Sequence, residues 1–366
     1  MSDILQTIGV EIEGVTLDKK SIPASILSSG LITITRDASV ETPALFIGSG
    51  SRVISPNSKI RRRLEGTLPV TTLGFELVST PLGLDLPNVL FTTLSKLAAA
   101  GEIESERASI HIHVGFPKSL GLQKSMLAVA KRAEALLYRL APISSPFRGY
   151  INHSVYCVPL SIPPAVFVRG VDRPYLLNPF EALKANSQQQ FWSHFGINFS
   201  MSDRPRYHPA RYFGINLYSI LLRGTIVYRM CNYSNNPFRI LAMALLCRGI
   251  TELAVFSPKS VEPIPELSLS ELSSNDVFKE VLRMFLTPMA KLGIPDNVLS
   301  FIEEHCHGII DTTKQFVFDN QHVQSHVDCT IDEEIKDMAK FRLATGVVES
   351  EHIDIHNIGD FVWRMV

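Results

Sequence analysis

The chain has 366 residues, 45% of them hydrophobic and 19% charged, with a formal net charge of −1. That length and apolar share suffice for a large core, and the near-neutral balance supplies no global field to draw nucleic acid or an anionic membrane. The five cysteines (Cys157, Cys231, Cys247, Cys306 and Cys329) have no CxxC spacing and are odd in number, which predicts reduced thiols in a cytoplasmic protein.

The opening MSDILQTIGVEIEG is acidic and lacks the basic-then-apolar order of a signal peptide. Short β-branched runs then predict strands at Thr7–Ile12, Leu31–Thr35, Ala44–Ile47, Phe75–Ser79 and Ile110–Phe116. A helical pattern at Leu86–Ala100 ends at Gly101, and an amphipathic helix at Leu120–Leu140 is stopped by Ala141-Pro142. Ser144–Arg211 is the least periodic stretch, rich in proline, aromatics and serine, and reads as a lid or binding loop. A strand pair is expected at Phe213–Leu222 and Thr225–Met230, with a tight turn at Arg223-Gly224. A long helix should start near Pro237, capped by Asn235 or Asn236. Its apolar run contains Arg239, Arg248 and Glu252, so it reads as a buried helix and not as a membrane span. Further helices are expected at Asp276–Leu292, Pro295–His305 and Ile331–Leu343. This order predicts an α+β fold with a mostly antiparallel sheet. It divides into a main unit, 1–265, with 144–211 as an irregular insertion, and a helical region, 266–366.

Polar residues recur at strand spacing in four of these segments. Residues i and i+2 of a strand share a face, so Glu11 and Glu13 project side by side, as do His111 and His113. Glu76 and Arg229 sit in similar runs. A sheet face that gathers carboxylates, imidazoles and a guanidinium points to a hard-metal and phosphate site. Other candidates read as structural. His305 and His307 have no second cluster to complete a zinc site, Cys157 and Cys231 have no neighbouring histidine, and the Lys59–Arg63 run suits a solvated loop in a neutral protein.

The order of these pieces resembles the amidoligase family, carboxylate–amine ligases related to glutamine synthetase and glutamate–cysteine ligase. The resemblance runs from about Ile8 to Arg239. It comprises a G-x-E-x-E strand (Gly9, Glu11, Glu13), a loose Asp-Gly-Ser-like turn (Asp37, Ala38, Ser39) and an E-h-V-S-P-P-L element (Glu76, Val78, Ser79, Pro81, Leu82). These are followed by the H-h-H strand (His111, His113) and by Arg148 with Tyr156-Cys157-Val158-Pro159-Leu160. An R-Y-x-x-x-N strand (Arg211 to Asn216) and a T-V-E-F-R strand (Thr225 to Arg229) close the series. The family's glutamate in that last strand falls on Val227 here.

The resemblance implies a glutamine-synthetase-like curved sheet backed by helices, with a helical C-terminal appendage. It also implies ATP and magnesium as cofactors and amide formation through an acyl phosphate on an amino acid, peptide or protein side chain. It places Glu13 and Glu76 on a first magnesium and Glu11 with His111 or His113 on a second, which Val227 weakens. Arg229 and Arg211 would clamp phosphate, Arg148 and His111 would face the nucleotide, Asn216 would orient the amide-forming partner, and Asp37 would face the amine or metal. The expected partners are small-molecule, peptide or protein substrates and a second copy of the chain, with no nucleic acid or membrane. Two rival readings stand beside this one: a catalytically impaired member with a binding or structural role, and a phosphotransferase that makes no amide.

Overall fold

A computed structural model describes residues 7–16, 30–36, 45–48, 52–54, 68–70, 73–82, 86, 89–93, 102–103, 109–140, 157, 159–161, 165–166, 175–176, 179–198, 208–232, 236–268 and 271–312. The strands are β1 Ile8–Thr16, β2 Ile32–Arg36, β3 Leu45–Gly48, β4 Arg52–Ile54, β5 Leu68–Val70, β6 Leu73–Ser79, β7 Glu102–Ile103, β8 Ser109–Gly115, β9 Ala165–Val166, β10 Tyr175–Leu176, β11 Ile215–Asn216 and β12 Thr225–Asn232. The α-helices are α1 Leu120–Leu140, α2 Gln188–Ser193, α3 Ser219–Arg223, α4 Pro237–Phe256, α5 Asn275–Lys291 and α6 Asp296–Thr312.

The fold is α+β, and an antiparallel sheet ordered β11-β12-β8-β1-β6-β2 organises it. Alternate residues of its strands face the helices. Ile8, Val10, Ile12, Leu77, Ile110, Ile112, Val114, Ile226 and Tyr228 are at most 3% exposed and form the sheet's share of the core. α4 lies against β8 and α1 against β12, and the two helices pack on each other. α5 and α6 cover α4 from the other side, so most of α4 is buried, with its few charges, Arg239, Arg248 and Glu252, at partly exposed positions. The core continues without a break into Phe278, Phe285, Ile302 and Cys306 of α5 and α6. Among the described residues no helix is long and apolar enough to cross a membrane.

Several sequence expectations hold. α1 has the expected bounds, and Asn236 caps α4 by accepting from the amides of Phe238 and Arg239. The strand expected over Phe213–Leu222 is a correction. Only Ile215–Asn216 is strand, and Ser219–Arg223 is a helix. The Asn216 Oδ1 accepts from the Ser219 amide at 3.2 Å and starts a helical turn, which buries Ile220 and Leu221. Gly224, at φ +70, ends it, so the expected tight turn is a helix C-cap. Arg211 likewise lies in a 3-10 helix, Pro209–Tyr212, and not on a strand.

Part of the stretch read as irregular is packed. Residues 179–198 hold a 3-10 turn and α2, and Phe191, Trp192 and Phe195 are fully buried. The helix expected over Ile331–Leu343 lies outside the described residues.

Candidate active site

The face of the sheet turned away from the helices carries the polar residues, and the strand register sets their order. Glu11 stands opposite His111, Glu13 opposite Glu76, and Gly9 opposite His113. His113 in turn stands opposite Val227, and Val227 opposite Asn216. On the other side, Glu76 pairs in register with Thr35 of β2.

On β12 the register shifts between Tyr228 and Cys231, so two residues oppose His111 where one would normally stand. The bulge keeps Tyr228 and Cys231 on the core side while Arg229 stays on the polar face beside His111. The Arg229 amide donates to the Gly214 carbonyl at 2.7 Å, which ties the bulge to the preceding segment. Gly214 must be glycine, because a Cβ there would lie 2.2 Å from the Tyr138 hydroxyl oxygen.

Glu11 is the centre of the cluster. His111 Nδ1 lies 2.9 Å from its Oε2, while His113 Nε2 at 3.0 Å and Arg223 Nη1 at 3.2 Å share its Oε1. Burial pushes this carboxyl up, but the charge on His113, the bonds from both histidines and the Arg223 guanidinium outweigh it. They hold Glu11 well below the ordinary carboxylate range. His111 moves down to about 4, through burial first and the Arg229 charge second, against the pull of Glu11. Near neutrality it is an uncharged imidazole that donates through Nδ1. Ser109 Oγ lies 3.1 Å from His111 Nε2 and also bonds Glu13 Oε2, so its single proton serves one of the two at a time.

The remaining members sit around this cluster. Thr225 Oγ1 lies 3.5 Å from His113 Nδ1 and 3.0 Å from Ser219 Oγ. Glu13 and Glu76 are half-buried, whereas Glu11, His111, His113, Asn216 and Val227 are buried. Val227 is 2% exposed and offers no donor atom. The Arg211 guanidinium lies over the Tyr212 ring at 5.5 Å. Asp37 and Arg148 lie outside the described residues.

The Cys157–Leu160 motif is held from behind. Buried Glu134 of α1 accepts from the amides of Leu160 and Ser161, and the Tyr138 hydroxyl donates to the Cys157 carbonyl at 3.1 Å. Burial raises Glu134 to about 7 despite the hydrogen bonds that lower it. Cys157 is raised to about 12, chiefly by burial, and with Cys231, Cys247 and Cys306 it is a buried free thiol, not a nucleophile.

Sequence reading brought together Glu11, Glu13, Glu76, His111, His113, Asn216 and Arg229. It missed Ser109, Thr225 and Arg223. Ser109 was legible as the third member of the 109-111-113 face. Arg223 carried no local signal, since 212 residues separate it from Glu11.

Magnesium takes hard oxygens, often one or two carboxylates completed by water and substrate phosphate. The facing pair Glu13 and Glu76 fits that chemistry. Glu11 does not, because donors already occupy both its oxygens. Among the described residues no three His, Cys, Asp or Glu side chains form a ready metal cage. A family model described as "Putative amidoligase enzyme" matches residues 5–251. No curated protein matches the chain.

Proposed function

The chain belongs to the amidoligase family, and on that premise we propose that it is an ATP- and magnesium-dependent carboxylate–amine ligase. Its substrates would be an amino acid, a peptide or a protein side chain bearing a carboxylate, together with an amine. The observation that carries this reading is the facing pair Glu76–Glu13 beside the Glu11–His111–Arg229 row on one sheet face. We take the sheet as glutamine-synthetase-like on the same premise, and the cytoplasm as its compartment.

A carboxylate is a poor electrophile, so ATP first converts it to an acyl phosphate, which the amine then opens with loss of phosphate. Bound magnesium would neutralise phosphate oxygens and hold them in line. Glu13 and Glu76 would hold it. Arg229, carried to the face by the bulge, would clamp the transferring phosphoryl group, since a planar guanidinium pairs with two oxygens at once. His111, neutral and anchored through Nδ1, holds Glu11 in place and keeps a lone pair at Nε2 next to Ser109. The Asn216 Oδ1 is committed to starting α3, so contact with the reacting amide falls to its Nδ2. Arg211, Arg148 and Asp37 remain candidates for phosphate, nucleotide and amine in that order.

A non-ligating member of the same fold is the second reading, favoured by the occupied oxygens of Glu11. Calorimetry with magnesium and ATP, on wild type and on the Glu13→Gln, Glu76→Gln double variant, tests the first reading. Wild type is expected to bind at micromolar concentrations, and the double variant at least about tenfold more weakly. No binding by folded wild type would falsify the first reading and leave only the second. Binding without ADP release across carboxylate and amine panels would select the second.

A further inference from the structure

Arg223 reaches the site from an element that the carboxylates themselves do not belong to. α3 is five residues long and is held at both ends. Asn216 Oδ1 accepts from Ser219 at its start, Gly224 closes it at φ +70, and Lys118 Nζ donates to the Leu221 carbonyl at 3.5 Å. The β11–α3–β12 unit that carries it also sets Val227 opposite His113. So the strand that brings an apolar group where a donor oxygen could stand follows directly from the helix that delivers a guanidinium to Glu11.

The two features exclude metal from the same place. A hard divalent cation needs a carboxylate lone pair at roughly 2.0–2.1 Å. Both Glu11 oxygens instead meet hydrogen-bond donors: His111 at 2.9 Å on Oε2 and Arg223 at 3.2 Å on Oε1, with His113 Nε2 also 3.0 Å from Oε1. A cation on Oε1 would have to displace the guanidinium, and Val227, 2% exposed, gives it no oxygen in exchange. Arg223 is itself 27% exposed, while its Nη1 holds Glu11.

We propose that Arg223 is a built-in cation that closes Glu11 to metal, so that this site works with a single divalent cation at the Glu13–Glu76 pair. The guanidinium then supplies fixed positive charge at the deep end of the polar face. It acts through Glu11 and is a positioning residue. The inference rests on the nucleotide-dependent reading above.

Counting metal tests it. Mn2+ would be titrated into the full chain with a non-hydrolysable ATP analogue, and bound metal read by electron paramagnetic resonance. Wild type is expected to hold one Mn2+ per chain, and Arg223→Lys, which keeps the charge, also one. Arg223→Ala should hold two, the second on Glu11 and His113, and Arg223→Gln decides the point if the alanine variant does not fold. Adding Val227→Glu to either should tighten the second site at least tenfold. Two Mn2+ in wild type, or one in the folded Ala and Gln variants, overturns the inference and leaves the ligase reading standing. No Mn2+–nucleotide binding in folded wild type overturns both.

Discussion

The two faces of the central sheet are made from alternate residues of the same strands, yet different physics holds them. Val10, Ile12, Ile110, Ile112 and Val114 meet α1 and α4 in a close-packed layer whose stability scales with apolar area removed from water. Between them Glu11, Glu13, His111 and His113 face the other way, and there three of the four are buried as well. Burial on that side is a cost, met by pairing around Glu11 and by the Ser109 hydroxyl at Glu13, while Glu13 and Glu76 stand opposite each other as like charges. The apolar face sets the register, and the register aligns the polar one. A one-residue slip would exchange the two faces.

The largest expected effect comes from the apolar side. Ile112→Ala removes a fully buried side chain and should cost about 2–5 kcal/mol, read as a lower urea midpoint with unchanged slope. Nucleotide affinity per folded molecule should stay at the wild-type value. If it falls with stability, the two faces are not separable in the way drawn above.

The pH dependence is next in size, and it sets the site against the helix behind it. His111 titrates at about 4 in the folded chain against 6.5 in its ordinary state, so between those values the unfolded chain binds more protons. Stability therefore falls as pH drops from 6.5 towards 4. Glu134 titrates at about 7 against 4.5, so the folded chain holds the extra proton and stability rises as pH drops from 7 to 4.5. Each contributes up to about 3 kcal/mol, with opposite sign over nearly the same window. Glu134→Gln should uncover the His111 contribution. Urea melts at pH 7 and pH 4.5 are expected to differ by about 2–3 kcal/mol more in the variant than in wild type. An equal pH dependence in both would mean that these two groups do not oppose each other.

The smallest effect concerns the facing carboxylates. Glu76→Gln relieves the like-charge pair with Glu13 and should move stability by no more than about 0.2–1 kcal/mol in chelator. Magnesium with ATP should then raise the melting temperature of wild type but not of the variant. A larger loss of stability in chelator would show that Glu76 is held by a structural partner.

Much of this was legible in the residues. The i, i+2 spacing of Glu11 with Glu13 and of His111 with His113 put each pair on one face, because strand geometry depends only on the backbone. Helix α1 was legible for the same kind of reason, with its apolar stripe and a proline stop. α3 was not. Tyr-Ser-Ile-Leu-Leu-Arg suits strand or helix alike, and Asn216 tips the balance with a side-chain bond to the Ser219 amide that exists only once β11 is placed.

Sequence alone therefore determined which side chains share a face, since alternation is a local property of any strand. Which strands lie side by side was decided only in three dimensions, and with it that Glu11 meets His111, that Glu13 meets Glu76, and that Val227 lies beside His113. Arg223 shows the limit most sharply. Its contact with Glu11 spans 212 positions and depends on a five-residue helix, the Asn216 bond and a left-handed glycine all holding together. Charges meet according to distance in space, and no periodicity along the chain records that distance.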